Sequence, residues 1–128
     1  MRLRGLMKLR LLTIMLLGLV VLALPAAPGF ASQRASRVVT VRLGEYFFRS
    51  PHLTLRVGDR VRFVNVGKIE HTVADSTKSG AILNKQINVP PLRHGQASLT
   101  LAFKKPGTIR YLCTFHPSLM RGTITVTR

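Results

Sequence analysis

The sequence predicts an all-β domain, either a two-sheet β-sandwich or a small barrel. Two observations carry this prediction: short runs in which apolar and polar residues alternate, and turn residues that separate these runs at short intervals. No stretch after residue 31 has the period of a long amphipathic helix. With 128 residues, 46% of them hydrophobic, the chain can bury one core, which excludes a disordered cationic tail.

The first 31 residues differ from the rest and resemble a targeting segment. Four basic residues and no acid precede an apolar stretch from Leu11 to Leu24, and a small-residue region ends at Ala31. This pattern is typical of a cleaved secretory signal peptide. An uncleaved membrane anchor is the alternative, but a spanning helix needs about 20 apolar residues. We expect signal peptide 1–31 to be removed and 32–128 to be exported to the periplasm or the outside, without stable membrane insertion.

The first half of the exported region contains alternating or β-branched runs bounded by turn signals. Four predicted strands follow from these runs: 37–43, 53–57, 60–65 and a strand that starts at 71. Gly58 and Asp59 form the turn between the second and third runs. Residues 66–70 form a loop before the fourth. Each strand is short, as expected for a sandwich.

The second half begins with a long connection. Residues 76–96 contain glycine, asparagine, serine and two adjacent prolines, so we expect this segment to be mostly irregular. Alternation returns in 98–103, where Leu99, Leu101 and Phe103 share a face. Further strands are expected before Cys113 and over 122–127. No internal repeat or second domain is visible.

The charge and cysteine content restrict the function classes. The chain has 20 Lys+Arg and 4 Asp+Glu, a net charge of +16, and 32–128 alone carries +12. This excess favours acidic proteins, phosphate backbones or anionic surfaces as partners. A single cysteine, Cys113, excludes a disulfide scaffold, a CxxC redox pair, a four-cysteine zinc site and a dinuclear copper site bridged by two thiolates.

One group of residues concentrates the chemistry. Cys113, His116 and Met120 lie on a single loop before the last strand, and His71 stands at the start of an earlier strand. Two imidazoles, one thiolate and a weak axial thioether are the ligand set of a mononuclear blue-copper centre. Zinc is the alternative metal, but structural zinc uses four strong donors and a thioether is a poor one.

The remaining histidines and single residues have simpler interpretations. His52 and His94 lie in turn-like settings with no partner pattern, and we assign them no metal role. Taken alone, Cys113 would more often be a small buried hydrophobe. Only the joint pattern of the four candidate ligands supports a metal site.

Three segments, 63–73, 106–117 and 120–126, resemble the copper-binding regions of the cupredoxins, within which the plastocyanin, pseudoazurin and amicyanin branch is most similar. The resemblance implies a Greek-key β-sandwich with one copper ion, cycling between Cu(I) and Cu(II), held by His71, Cys113 and His116 with Met120 axial. One departure is visible. Three residues separate His116 from Met120, whereas amicyanin-like loops have two and plastocyanin-like loops four, which bears on the distance from copper to Met120.

The resemblance also implies roles for the neighbours of these residues. The backbone N–H of Thr72 is expected to donate to the Cys113 sulfur. Phe115 stands where the plastocyanin and amicyanin types commonly have proline, which has no N–H, so Phe115 is expected to supply a second donor. A carboxylate at Glu70 close to the metal would favour Cu(II).

These features bear on three function classes. The favoured hypothesis is an exported electron carrier, a monomer that is not itself an enzyme, with His116 as the surface port among Phe115, Pro117, Leu119 and residues 90–92. Its partners would be redox proteins with acidic docking surfaces. The alternative is a copper carrier or buffer that delivers the ion, although Met120 is the only methionine after residue 31. A nucleic-acid-binding module is disfavoured because no basic-aromatic motif is present.

Overall fold

The computed structural model describes residues 34–128, so the predicted signal peptide 1–31 lies outside the described residues. These residues form nine strands, listed in chain order: β1 (Val38–Gly44), β2 (Phe47–Arg49), β3 (His52–Arg56), β4 (Arg60–Asn65), β5 (His71–Ser76), β6 (Asn88–Leu92), β7 (Leu101–Ala102), β8 (Gly107–Leu112) and β9 (Arg121–Thr127). Residues 34–128 contain no helix of the length and apolarity needed to cross a membrane.

The strands form two sheets, which confirms the predicted all-β sandwich. The four-stranded sheet has the order β2-β1-β4-β7, and the five-stranded sheet has the order β3-β9-β8-β5-β6. The pairs β1/β4 and β3/β9 are parallel, and the other pairs are antiparallel. Parallel pairs require the chain to cross between sheets, because two parallel neighbours cannot be joined by a tight hairpin.

Alternation along the strands places one face of each in a shared core. In β4, Val61, Phe63 and Asn65 are buried while Arg60 and Arg62 are exposed. The inward residues of both sheets form one cluster, and Phe48 and Phe63 pack edge-to-face against the ring of its largest fully buried side chain, Tyr111. The Tyr111 hydroxyl donates to the carbonyl of Pro51 at 3.0 Å.

The connection 76–96 is more ordered than the sequence indicates. Pro90 and Pro91 lie inside β6, which is the outer strand of the five-stranded sheet. Proline cannot donate to a sheet ladder, but an edge strand has one side without a neighbour, so it tolerates proline. The expectation of an irregular segment was therefore wrong for 88–92.

The alternating run around Leu101 forms less strand than expected. Only Leu101 and Ala102 pair with β4, and Leu99 is 87% exposed. Phe103 does reach the core. The short strand β2 was not predicted, since three residues with two aromatics give no readable alternation.

Two loops meet at one end of the sandwich. β5 begins at His71, and its neighbour β8 runs antiparallel and ends at Leu112. The loop 113–120 then returns the chain into β9 beside β8. This arrangement brings the start of β5 next to the residues that follow β8, and so places His71 opposite Cys113.

Candidate metal centre

Three of the four predicted ligands converge at this end of the sandwich. The Cys113 Sγ lies 3.9 Å from the Nδ1 of His71 and 3.7 Å from the Nδ1 of His116. The ligand atoms of the three residues all lie within 4.8 Å of one another, and they form the metal-ligand cluster found in residues 34–128. One thiol sulfur and two imidazole nitrogens facing a common point fit a copper ion.

Burial differs among the three in a way that matters for function. His71 and Cys113 are fully buried, whereas His116 is only half-buried. The two imidazole rings lie 5.3 Å apart at 62°. The site is therefore closed to solvent on the His71 side and open only at the His116 ring.

Asn65 fixes the loop that leads into His71. Its Nδ2 donates to the carbonyls of Ile69 and Leu92, both at 2.7 Å, and its Oδ1 accepts from the Gly67 N–H at 2.8 Å. Asn65 is fully buried, and these three bonds satisfy its amide. The sequence placed Asn65 on an inward face but gave it no role, although a buried asparagine before a loop is itself a sign of such anchoring.

The His71 ring is prepared to bind a metal. Burial lowers the pKa of His71 below its ordinary value, and the nearby His116 lowers it further, while Glu45 acts in the opposite direction. The neutral imidazole is the form that ligates metals. The Nδ1 of His71 faces the Cys113 sulfur at 3.9 Å and is the nitrogen positioned to ligate a metal, whereas its buried Nε2 has no hydrogen-bond partner among residues 34–128.

Thr72 connects the two strands that carry the site. Its backbone N–H donates to the Cys113 Sγ at 3.4 Å, which confirms the expected bond. Its hydroxyl lies 3.6 Å from the same sulfur and accepts from the Thr114 N–H at 2.8 Å. Thr72 therefore holds both the sulfur and the residue after it.

The second expected donor to the sulfur is not observed. In the part of the chain that the structure describes, the Phe115 N–H forms no hydrogen bond to Cys113 Sγ. The loop instead closes with the His116 N–H donating to the Cys113 carbonyl at 3.2 Å. With only two residues between Cys113 and His116, this turn directs the Phe115 N–H away from the sulfur.

Met120 returns to the site through a turn. The N–H groups of Leu119 and Met120 both donate to the His116 carbonyl, at 3.1 and 2.9 Å, and the Cys113 N–H donates to the Met120 carbonyl at 3.0 Å. The Met120 side chain is fully buried in the core cluster that also contains Cys113. A three-residue spacer thus forms one closed turn and brings Met120 beside Cys113.

An apolar surface surrounds the exposed edge of His116. The Tyr46 ring packs edge-to-face on His116 with centroids 5.0 Å apart, and Tyr46, Phe115 and Leu119 are 50%, 51% and 64% exposed. We call these three residues with His116 the port surface. Leu92, which was expected at this surface, is buried in the core instead.

Tyr46 was missed by sequence reasoning. It lies 70 residues from His116 in the chain, in the turn between β1 and β2, and it has a positive φ of 63°. Neither the contact nor the backbone conformation has a local sequence signal.

The remaining candidate residues lie outside the cluster. Glu70 pairs with Arg93 at 3.0 Å in an exposed ion pair. His52 Nδ1 bonds with the Thr123 hydroxyl at 2.8 Å, and His94 Nδ1 with the Gly67 carbonyl at 2.9 Å. Glu45 accepts a hydrogen bond from the Lys68 N–H, which lowers the pKa of its carboxyl.

Comparisons with known proteins agree with this geometry. Residues 35–127 match the family described as copper binding proteins, plastocyanin/azurin family. Amicyanin-alpha of Methylorubrum extorquens is 33% identical over 86 residues, which cover 67% of this chain and 69% of the relative. Amicyanin of Paracoccus denitrificans is 30% identical over 100 residues, covering 78% and 73%. The solved purple cupredoxin from Nitrosopumilus maritimus is similar with a TM-score of 0.62 and 26% identity, covering 72% of this chain and all of that one.

Proposed function

Because the chain belongs to the plastocyanin/azurin family of copper-binding proteins and holds one copper ion, we propose that it is an exported carrier of single electrons between redox partners. His71, Cys113 and His116 are the proposed copper ligands, with Met120 as the axial one. The protein is not itself an enzyme in this proposal.

The observation that carries the proposal is the convergence of one sulfur and two Nδ1 atoms in a buried pocket with a single exposed edge. The copper supplies a one-electron couple between Cu(I) and Cu(II). The soft sulfur of Cys113 favours Cu(I), and the imidazoles suit both oxidation states. Because β5, β8 and the turn 113–120 fix these side chains, little rearrangement is needed when the charge on the metal changes.

The port surface supports electron exchange with a partner. His116 is the only proposed ligand with solvent contact, and Tyr46, Phe115 and Leu119 surround it with exposed apolar area. A small apolar contact suits weak and transient docking. The net charge of +12 on residues 34–128 favours acidic partner surfaces.

Electron transfer is favoured over delivery of the ion because of burial. Transfer of copper to another protein requires the ligands to be exchanged one by one, and fully buried His71 and Cys113 oppose this. The predicted signal peptide supports a location in the periplasm or outside the cell, and a monomer is expected.

An absorption spectrum tests the proposal. Oxidised, copper-loaded protein should be intensely coloured by charge transfer from the Cys113 thiolate, and a mild reductant should bleach it. The Cys113→Ser variant should lack the colour, whereas His52→Gln, which removes a histidine outside the cluster, should keep it. Colourless wild-type protein with copper bound would refute the proposal.

A further inference from the structure

A basic cleft lies on the outer face of the five-stranded sheet. Its floor is a row of paired residues across four strands, Ser76, Arg110, Thr123 and His52, on β5, β8, β9 and β3. The turn over residues 77–80 adjoins this row. The cleft has a volume of about 230 Å³, which is below the range of about 300–1,000 Å³ typical for drug-sized ligands. It is therefore suited to a small ligand.

Three long cationic side chains line this cleft: Lys78, Arg110 and Arg121. Arg121 is held in place, since its Nε donates to the Pro117 carbonyl at 2.6 Å. Its terminal nitrogens lie over Gly80, where an added Cβ would come within 3.0 Å of Nη2. Among residues 34–128, neither Lys78 nor Arg110 takes part in an ion pair.

No carboxylate of the protein neutralises this charge. The chain has only four Asp and Glu residues, all within the described part. Each is engaged elsewhere: Asp59 with Arg34 and Arg37, Glu70 with Arg93, Asp75 with the N–H groups of 85–87, and Glu45 with the Lys68 N–H. The three cations therefore line one cleft without an internal counter-ion, which leaves a positive potential there for an anion from solution.

We infer that this cleft is a binding site for a small tetrahedral oxyanion of the phosphate type. Guanidinium groups bind such oxyanions through paired N–H donors, and an ammonium group adds a point charge. Ser76, Thr77 and Thr123 line the same cleft; the Thr123 hydroxyl bonds with His52 Nδ1 at 2.8 Å and the Thr77 hydroxyl with Ser79 Oγ at 2.9 Å. A cationic ligand would find no counter-charge here.

Arg121 links this cleft to the copper loop. It binds the carbonyl of Pro117, the residue after His116, and it directly follows Met120. Negative charge beside this loop favours Cu(II) over Cu(I). By reciprocity, the oxidised protein then binds the oxyanion more tightly than the reduced protein. This link rests on the function proposed above, whereas the site itself does not.

Calorimetric titration with inorganic phosphate tests the site. The copper-loaded protein is titrated at constant ionic strength, alongside Lys78→Gln, Arg110→Gln and the control Lys105→Gln. The control removes the same charge from a lysine that does not line the cleft. Saturable binding to wild type is expected, with affinity about tenfold weaker in each cleft variant, as for loss of a charged hydrogen bond, and within about twofold in the control.

Two results would overturn the site. One is the absence of saturable heat at millimolar phosphate, and the other is an equal loss in all three variants, which would mean that binding follows net charge alone. Because Lys78 and Arg110 have exposed side chains, folding of their variants is expected and is checked by far-ultraviolet circular dichroism. The heat of phosphate binding is measured independently of the copper absorption band. Failure of the proposed phosphate site can therefore be distinguished from failure of the proposed copper function.

The link to copper has its own readout. The midpoint potential of wild type should fall as phosphate is added and reach a plateau, and in Arg110→Gln the same fall should require about tenfold more phosphate, in line with its weaker affinity. A midpoint potential that does not change while phosphate binds would refute the coupling between the cleft and the copper, but it would not refute the phosphate site itself.

Discussion

Within the described part of the chain, the Cys113 sulfur accepts a backbone hydrogen bond from one side of the site only. Thr72 on β5 supplies it at 3.4 Å, and the turn after Cys113 closes on itself through the His116 N–H. Hydrogen bonds to a thiolate stabilise its electron-rich form and tune the metal it ligates. The residue that controls this bond is therefore Thr72 rather than Phe115.

Replacing Phe115 by proline tests this assignment. Proline removes the N–H at 115, but that N–H does not reach the sulfur, so the midpoint potential of Phe115→Pro should stay within about 20 mV of wild type, well below the 59 mV of a tenfold change. Voltammetry gives the potential, and an unchanged absorption spectrum shows that the loop is intact. A clear fall in potential with the spectrum preserved would mean that Phe115 does donate to the sulfur in solution.

The role of Met120, the proposed axial ligand, can be tested by Met120→Gln. A thioether favours Cu(I) more than an amide oxygen does. The variant should keep copper and show a potential lower by at least about 59 mV, a tenfold shift in the one-electron equilibrium. The control Met120→Leu keeps the apolar volume without any oxygen donor, and it should not lower the potential. Equal potentials in wild type and Met120→Gln would place Met120 away from the metal.

At the scale of elements, Asp75 organises the connection between β5 and β6. Its carboxylate accepts the N–H groups of Lys85, Gln86 and Ile87 at 2.8, 3.3 and 3.2 Å, and it is buried. A buried acceptor of three backbone donors sets the path of a loop that has little regular structure of its own.

The Asp75→Ala variant should lose about 1.5–3 kcal/mol of unfolding free energy, because bonds to a charged acceptor disappear and buried donors remain. Urea unfolding measures this. The control is Glu70→Ala, whose exposed ion pair with Arg93 contributes at most about 1 kcal/mol. Equal losses in the two variants would contradict the role of Asp75.

The strands also show which features of the fold and the site can be predicted from the sequence and which cannot. Alternation identified β4 and β9 because each has one buried and one exposed face, and the spacing of His71, Cys113 and His116 indicated a joint site. The strand β6 was not predicted because proline is compatible only with an edge strand. The sequence alone does not reveal which strand lies at the edge of the sheet. Tyr46 was missed because its contact with His116 depends on how the two sheets pack.

At the scale of the whole molecule, Asp59 ties the two sheets together. Its carboxylate accepts the N–H of Arg37, just before β1, and the N–H of Arg56, at the end of β3, both at 3.0 Å. The bond from Arg56 is the main cause that lowers the pKa of Asp59 below its ordinary value of 3.8, followed by that from Arg37. The charged carboxylate is therefore preferred in the folded state.

A lowered pKa means that this stabilisation is present above about pH 4 and is lost as the pH falls through the folded-state pKa. Asp59→Asn should unfold at a lower urea concentration than wild type at pH 7. The difference between their midpoints should shrink as the pH falls below 3.8. Urea-unfolding midpoints of wild type and Asp59→Asn, measured from pH 7 to pH 2.5, test this. A difference between the two midpoints that stays constant with pH would show that Asp59 acts by packing alone.

The net charge governs how the whole molecule meets its partners. Residues 34–128 carry 16 Lys+Arg and four Asp+Glu, and because Asp75 is buried and Asp59 and Glu70 are paired with arginines, the surface field is positive. Such a field accelerates encounters with anions, and salt screens it over a Debye length of about 10 Å at 0.1 M.

Oxidation of the reduced protein by two small reagents of opposite charge tests this field at the port surface. The rate with hexacyanoferrate(III), a trianion, should fall by about tenfold or more as ionic strength rises from 0.01 to 0.5 M, since attraction is screened. The rate with the tris(phenanthroline)cobalt(III) cation should rise over the same range. If both rates are flat, the charge lies too far from His116 to steer electron exchange, and the apolar residues Tyr46, Phe115 and Leu119 alone determine how a partner docks.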